Sequence, residues 1–195
     1  MTGRLQLVVA ALAVANADRT LDAIRVLRDR VVEQPGDARA HYLLGTLCCE
    51  RGLPENPSLP DLSRAASAFE SAAAHAQQST DRVTAALLAG RMHERMDDAS
   101  SAERWFRSVE GTEACEALST LLLRQARRGR RDVQEAIDTC RAAVAADGGE
   151  PRVHECLANA LGEAGDVGGA RGAWLCALEL ARGQAAAAAA AAETA

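Results

Sequence analysis

The sequence predicts an all-α fold, an α-solenoid of antiparallel helix pairs, and three observations predict it. Between Pro151 and Gln184, the residues His154, Leu157, Ala158 and Leu161 share one helix face, Gly165 interrupts, and Ala170, Trp174, Ala177 and Leu178 then mark the inner face of a second helix. Variants of this 34-residue helical hairpin precede it four times, in one register. Composition agrees: 48% of residues are hydrophobic but only 3% are aromatic. A core so poor in rings has to be built from Ala and Leu at close helix approach, which suits stacked hairpins better than a sheet sandwich.

The first pair covers about residues 4–37. Leu7, Ala10, Ala11 and Val14 form its first apolar face, Asp18 is placed to cap the second helix, and Ala23 and Leu27 follow on that helix. The first helix is apolar almost all round, the signature of a buried end helix or an interface. Arg4, the run Leu5 to Val14 and the Ala15-Asn16-Ala17 tripeptide also imitate a signal peptide. Because the same residues fill a first helix in register with the later repeats, a cytoplasmic chain is expected, with export after loss of the first 17 residues as the alternative.

The second pair, about 38–79, starts after the natural cap Asp37 and reads His41, Leu44, Gly45, Cys48 and Gly52; its second helix carries Ala65, Phe69 and Ala72. Between them, Leu53 to Leu62 holds Pro54, Pro57 and Pro60 and is expected to be a stiff surface loop. Thr80 to Arg82 is expected to link to the third pair, 83–114, with Ala86, Ala89, Gly90 and His93 on one helix and Ala102, Phe106 and Val109 on the other. Ser100 and Glu103 stand at capping-box spacing there. The fourth pair, 115–150, reads Leu118, Leu121, Leu122, Gln125 and Gly129, then Ala136, Cys140 and Ala143. Pro151 suits the first position of the helix that opens the fifth, 151–184. In the tail, 185–195, eight successive Ala favour a helical extension that Gly183 is expected to break, so a frayed or disordered end is anticipated.

The alternation of bulky, Leu and small residues on first helices, with Ala followed by an aromatic on second helices at Ala65/Phe69, Ala102/Phe106 and Ala170/Trp174, resembles the tetratricopeptide repeat family over nearly the whole chain. The resemblance implies a right-handed superhelix whose first helices line a concave groove, and a non-enzymatic adaptor or scaffold that holds a peptide or helix there. By helical geometry the groove-facing residues include Arg39, Tyr42, Thr46 and Glu50, then Leu87, Arg91, Glu94 and Arg95. The later pairs add Glu116, Ser119, Leu123 and Arg127, then Arg152, Glu155, Asn159 and Glu163. Of these, Arg39, Tyr42, Arg91, Arg95 and Arg127 are the candidate partner-binding residues, because guanidinium binds carboxylates in bidentate fashion and Tyr offers an amphipathic contact. Some relatives clamp a chaperone's terminal carboxylate with Lys, Asn and Arg. Val8, Leu12, Leu43, Thr84 and Leu88 stand at those places here, so no such clamp is expected. A docking alternative, a permanent subunit of a larger assembly, would use the apolar first helix.

Other chemistry finds little support. A net charge of −5 argues against bulk nucleic-acid binding. The run Arg124, Arg127, Arg128, Arg130 and Arg131 follows Glu110, Glu113 and Glu116 on one helix, the charge order that complements a helix dipole. Six cysteines show no CxxC spacing and read as reduced core residues, the histidines as core packing, and no apolar run is long enough for a bilayer. No catalytic set, metal site or cofactor is expected.

Overall fold

The computed structural model describes residues 17–51 and 59–193. Among them are nine helices and no strand. The first helix of the first pair and most of the proline-bearing segment lie outside the described residues. The chain divides into two compact units, 1–105 and 106–195.

The first unit contains α1 (Ala17–Glu33), α2 (Ala38–Arg51), α3 (Leu59–His75), α4 (Ser79–Arg95) and most of α5 (Ala99–Arg107). Asp37 caps α2 as its side-chain type dictates: one carboxylate oxygen accepts from the Ala40 amide at 3.1 Å and the other from Arg30 Nε at 3.1 Å. In each case the following first helix packs on the preceding second helix, α2 on α1 and α4 on α3. The main core cluster joins Cys48 of α2, Leu62, Ala65, Ala66 and Phe69 of α3, and Ala89 and Met92 of α4. Gly45 is what admits the Phe69 ring to α2, since a Cβ there would stand 2.8–2.9 Å from three ring carbons.

Four boundaries differ from the sequence expectation. Pro60 and Leu62 belong to the first turns of α3 and not to a loop; a proline fits there because the first amides of a helix have no intrahelical acceptor. Thr80 to Arg82 forms the first turn of α4, where Asp81 complements the positive end of the helix dipole. The cap of α5 is Asp98, which accepts from the Ser101 amide at 3.1 Å, ahead of the Ser100–Glu103 box. That hydrogen bonding to Ser101, reinforced by His93, holds the Asp98 carboxyl below its ordinary range. Val109 lies beyond the end of α5.

The second unit holds the end of α5, then α6 (Thr112–Arg127), α7 (Val133–Ala146), α8 (Pro151–Glu163) and α9 (Val167–Glu193). Here α6 packs on α7 and on α8, α8 on α7, and α9 on α8. Asp97, Gly129 and Gly165, one in each of three intra-pair turns, take left-handed backbone at φ 60, 67 and 81°. Asp132 caps α7 by accepting from the Gln134 amide at 3.0 Å. Asp166 caps α9 by accepting from the Gly169 amide at 2.9 Å. Gln125, polar where an apolar residue is expected, is buried, and its carbonyl accepts from the Arg130 amide to close the end of α6.

Two further expectations are corrected. Helix α9 does not break at Gly183 but continues through the Ala run to Glu193; the run's high propensity outweighs a single glycine costing about 1 kcal/mol. His41 and His154 are half-buried and clasp loops instead of filling the core. Their Nε2 atoms donate to the Pro35 and Gly148 carbonyls at 2.9 and 3.0 Å. A similar polar role falls to His93, whose Nε2 lies 2.7 Å from Glu70, which also accepts from Trp105 Nε1 at 3.1 Å.

Candidate functional site

In the first unit the first helices are α2 and α4, and Cys49 Sγ of one meets Met92 Sδ of the other at 3.3 Å. Arg39 on α2 and Arg91 and Arg95 on α4 are all exposed. Among the described residues none of these three side chains makes a hydrogen bond or ion pair. Arg91 and Arg95 are four apart and so project on one helix face. Tyr42 is different. It is half-buried, its ring edge-on to Phe69 with centroids 5.7 Å apart, so most of its apolar surface serves the core.

In the second unit the first helices are α6 and α8, and they line a partly open cavity of about 220 Å³. Its walls are Glu116, Ser119, Thr120 and Leu123 from α6 and Arg152, Glu155, Cys156 and Asn159 from α8. Successive repeats explain this set. Positions 36 apart face each other, giving Glu116 opposite Arg152, Ser119 opposite Glu155, Thr120 opposite Cys156, Leu123 opposite Asn159 and Arg127 opposite Glu163. Both ends of the ladder are ion pairs: Arg152 Nη1 lies 3.8 Å from Glu116, and Arg127 donates to Glu163. The second pair holds Arg127 above and Glu163 below their ordinary ranges, through the hydrogen bond and the mutual charge. Arg127 is therefore exposed but occupied, at the edge of the cavity and not in its wall.

Six of the eight lining residues follow from helical geometry in the sequence, and two do not. Thr120 and Cys156 are missed because each stands next to the residue taken as groove-facing, and the lateral reach of the cavity depends on the spacing of two helices. The signal that would find them is the 36-residue register itself. Of the five candidate binding residues, the structure places Arg39, Tyr42, Arg91 and Arg95 in the first unit and Arg127 in the second. The neighbouring arginines are partly committed as well, Arg131 to Glu135 at 2.7 Å.

Cys156 of the cavity wall and Cys115 are both buried and neighbour one another, with Cys140 beside Cys115 and Ser119 beside Cys156. The contact with Cys140, with burial, pushes the Cys115 thiol up to about 12; the contact with Cys115, with burial, pushes Cys156 up as well. Thiolate is the reactive species, so both are chemically quiet near neutral pH. Cys176 on α9 is exposed. Iodoacetamide applied to the native chain is expected to label Cys176 well before Cys115, Cys140 or Cys156, with the buried three reacting only after denaturation. Mass mapping of the labelled peptides checks this, and labelling of Cys156 as fast as Cys176 would contradict the packing described. Among the described residues, no group of three or more His, Cys, Asp or Glu is arranged to hold a metal ion, and no helix is long and apolar enough to cross a membrane.

No protein-family model matches the chain, and no curated protein matches it in sequence. Solved structures match it in fold. MamA superposes with a TM-score of 0.60 at 16% identity, over 86% of this chain and 92% of that one. MamA from Desulfovibrio magneticus RS-1 gives 0.58 at 18% identity, over 85% and 88%. YrrB, described as a TPR protein with an unusual peptide-binding site, gives 0.55 at 15% identity, over 84% and 78%. The chain has the tetratricopeptide-repeat fold. Its described helices supply four helix pairs of that fold, α2/α3, α4/α5, α6/α7 and α8/α9, together with α1.

Proposed function

We propose that this protein is a non-enzymatic interaction module, an adaptor or scaffold that holds an extended or helical segment of a protein partner against its first helices. The α6/α8 cavity carries the reading. At about 220 Å³ it falls below the roughly 300–1,000 Å³ of small-molecule sites and suits one or two side chains of a polypeptide. Its hydroxyls, amide and carboxylates are hydrogen-bonding groups, and no nucleophile is paired with a base within it. Glu155 and Asn159 favour a basic or amide side chain there, while Arg39, Arg91 and Arg95, with the edge of Tyr42, favour carboxylates in the first unit. Arg127 joins them only when a partner's carboxylate competes with Glu163. YrrB, with its peptide-binding site, supports the same use of the fold. The free, largely buried cysteines fit a reducing compartment, and we place the protein in the cytoplasm.

The test is crosslinking affinity capture from native cells with wild type, Arg91→Glu/Arg95→Glu and Glu155→Arg, each matched for helix content by circular dichroism. Reversing exposed guanidiniums that contact carboxylates is expected to weaken capture by about tenfold or more, because like charges then oppose. A partner lost from either variant while folding is intact supports first-helix recognition. Capture of the same partners by all three proteins would sink it.

A further inference from the structure

Three of the residues lining the α6/α8 cavity carry charge, Glu116, Arg152 and Glu155, and they do not balance. Glu116 and Arg152 face each other across the two helices at 3.8 Å. Glu155 faces Ser119 instead. It is exposed, and among the described residues its carboxylate makes no hydrogen bond or ion pair. The side chains of Asn159, one turn further along α8, and Thr120, across on α6, are exposed and equally unengaged. Ser119 already gives its hydroxyl proton to the Glu116 carbonyl at 3.1 Å, so it has no proton to offer a ligand. The wall is thus rich in acceptors and holds one carboxylate that nothing in the chain neutralises. Leu123 and Cys156, both buried, supply its apolar part.

These groups select among cations by shape. Glu155 and Asn159 are four residues apart, about 6 Å along the helix axis, and Thr120 stands on the other helix. An ammonium carries its three N–H on a single nitrogen and serves acceptors that converge on one point. A guanidinium spreads five N–H in a plane, enough to pair a carboxylate through two of them and still reach acceptors to either side. A neutral amide would leave Glu155 without a counter-charge.

We propose, resting on the first-helix recognition of a polypeptide, that the cavity takes the guanidinium of an arginine side chain of the protein partner. Glu155 is its counter-ion, Asn159 and Thr120 are further acceptors, and Leu123 and Cys156 lie against its methylenes. Arg152 is then the like charge in the wall, restrained by Glu116. Removing it helps a guanidinium and harms a carboxylate, so its substitution gives opposite signs for the two ligand classes.

The test titrates Nα-acetyl-arginine methylamide into the full-length, nitrogen-15-labelled chain and follows the amide shifts of residues 116–123 and 152–159. A ligand of this size is expected to bind with a Kd of about 1 mM. Glu155→Gln is expected to weaken it about tenfold or more, because a hydrogen bond between two charged groups is lost. Arg152→Ala is expected to tighten it by about two- to fivefold, as removal of a partly screened charge does. The corresponding lysine compound is expected to bind about threefold or more weakly. The glutamate compound is expected to leave these amides unmoved. The spectrum of each variant without ligand controls for folding. Cavity amides that ignore the arginine compound overturn the assignment. Equal binding of the lysine compound, or weaker binding to Arg152→Ala, does so as well. If Glu155→Arg nonetheless loses a captured partner, polypeptide recognition by the first helices stands and only the arginine falls; if capture is unchanged in every variant, both fall.

Discussion

Phe69→Ala is expected to cost about 3–5 kcal/mol, toward the upper end for a buried ring. Three features put it there. The ring is fully buried at the meeting point of α2, α3 and α4. Much of its lining is already small, Gly45, Ala65, Ala66 and Ala89, and such residues have no side-chain atoms to swing into the void. Tyr42 loses the ring it packs against edge-on, so the damage reaches the candidate binding face. Against a typical domain stability of about 5–15 kcal/mol, such a loss leaves the first unit marginal. Urea unfolding followed by Trp105 emission is the measurement, in a Trp174→Phe background so that one fluorophore remains, because Trp105 packs on the same cluster. A loss below about 1 kcal/mol would mean that Phe69 is not the wedge between these helices.

Gly45→Ala tests the same contact from the other side, and its sign is diagnostic. In a free helix, replacing Gly by Ala gains about 1 kcal/mol. Here the new methyl meets three carbons of the Phe69 ring at 2.8–2.9 Å, and the ring has no room to retreat. Overpacking of this kind costs about 1–3 kcal/mol, so the net effect is expected to be destabilising, and Gly45→Val more so. In the Phe69→Ala background the clash is gone and the propensity gain should show. Gly45→Ala is then expected to stabilise, by up to about 1 kcal/mol. The coupling between the two sites comes from a double-mutant cycle in urea. Stabilisation by Gly45→Ala in the wild-type chain would show that α2 and α3 are farther apart than described.

These two residues also show how sequence and structure divide the information. The Ala65/Phe69 and Ala102/Phe106 spacings place both rings on inner faces, and all four residues are buried. The same spacing puts Trp174 and Leu178 on an inner face, yet both stand half open, while Ala170 and Ala177 of the same helix are buried. Periodicity tells which residues share a helix face. It does not tell whether a second helix arrives to cover that face. Trp174 and Phe69 occupy equivalent positions in the repeat and differ in whether a further first helix packs over them.

The candidate site divides the same way. Helical spacing on first helices is enough to name Glu116, Ser119, Leu123, Arg152, Glu155 and Asn159, because side chains three and four apart fall on one face and the repeat fixes which face. Composition and spacing alone also settle the helical class, since a chain with few rings, many Ala and a hairpin period has no economical way to bury itself as a sheet. What only the tertiary structure decided are pairings between helices. Arg127 looks like a free cation on its own helix and is tied to Glu163 on the next. Tyr42 looks groove-facing and spends its ring on Phe69. His41 and His154 look like core residues and reach back to loop carbonyls. The physical reason is common to all of them: an i, i+4 relation is fixed by the backbone of one helix, whereas a salt bridge, ring contact or cavity wall depends on the distance and rotation between two.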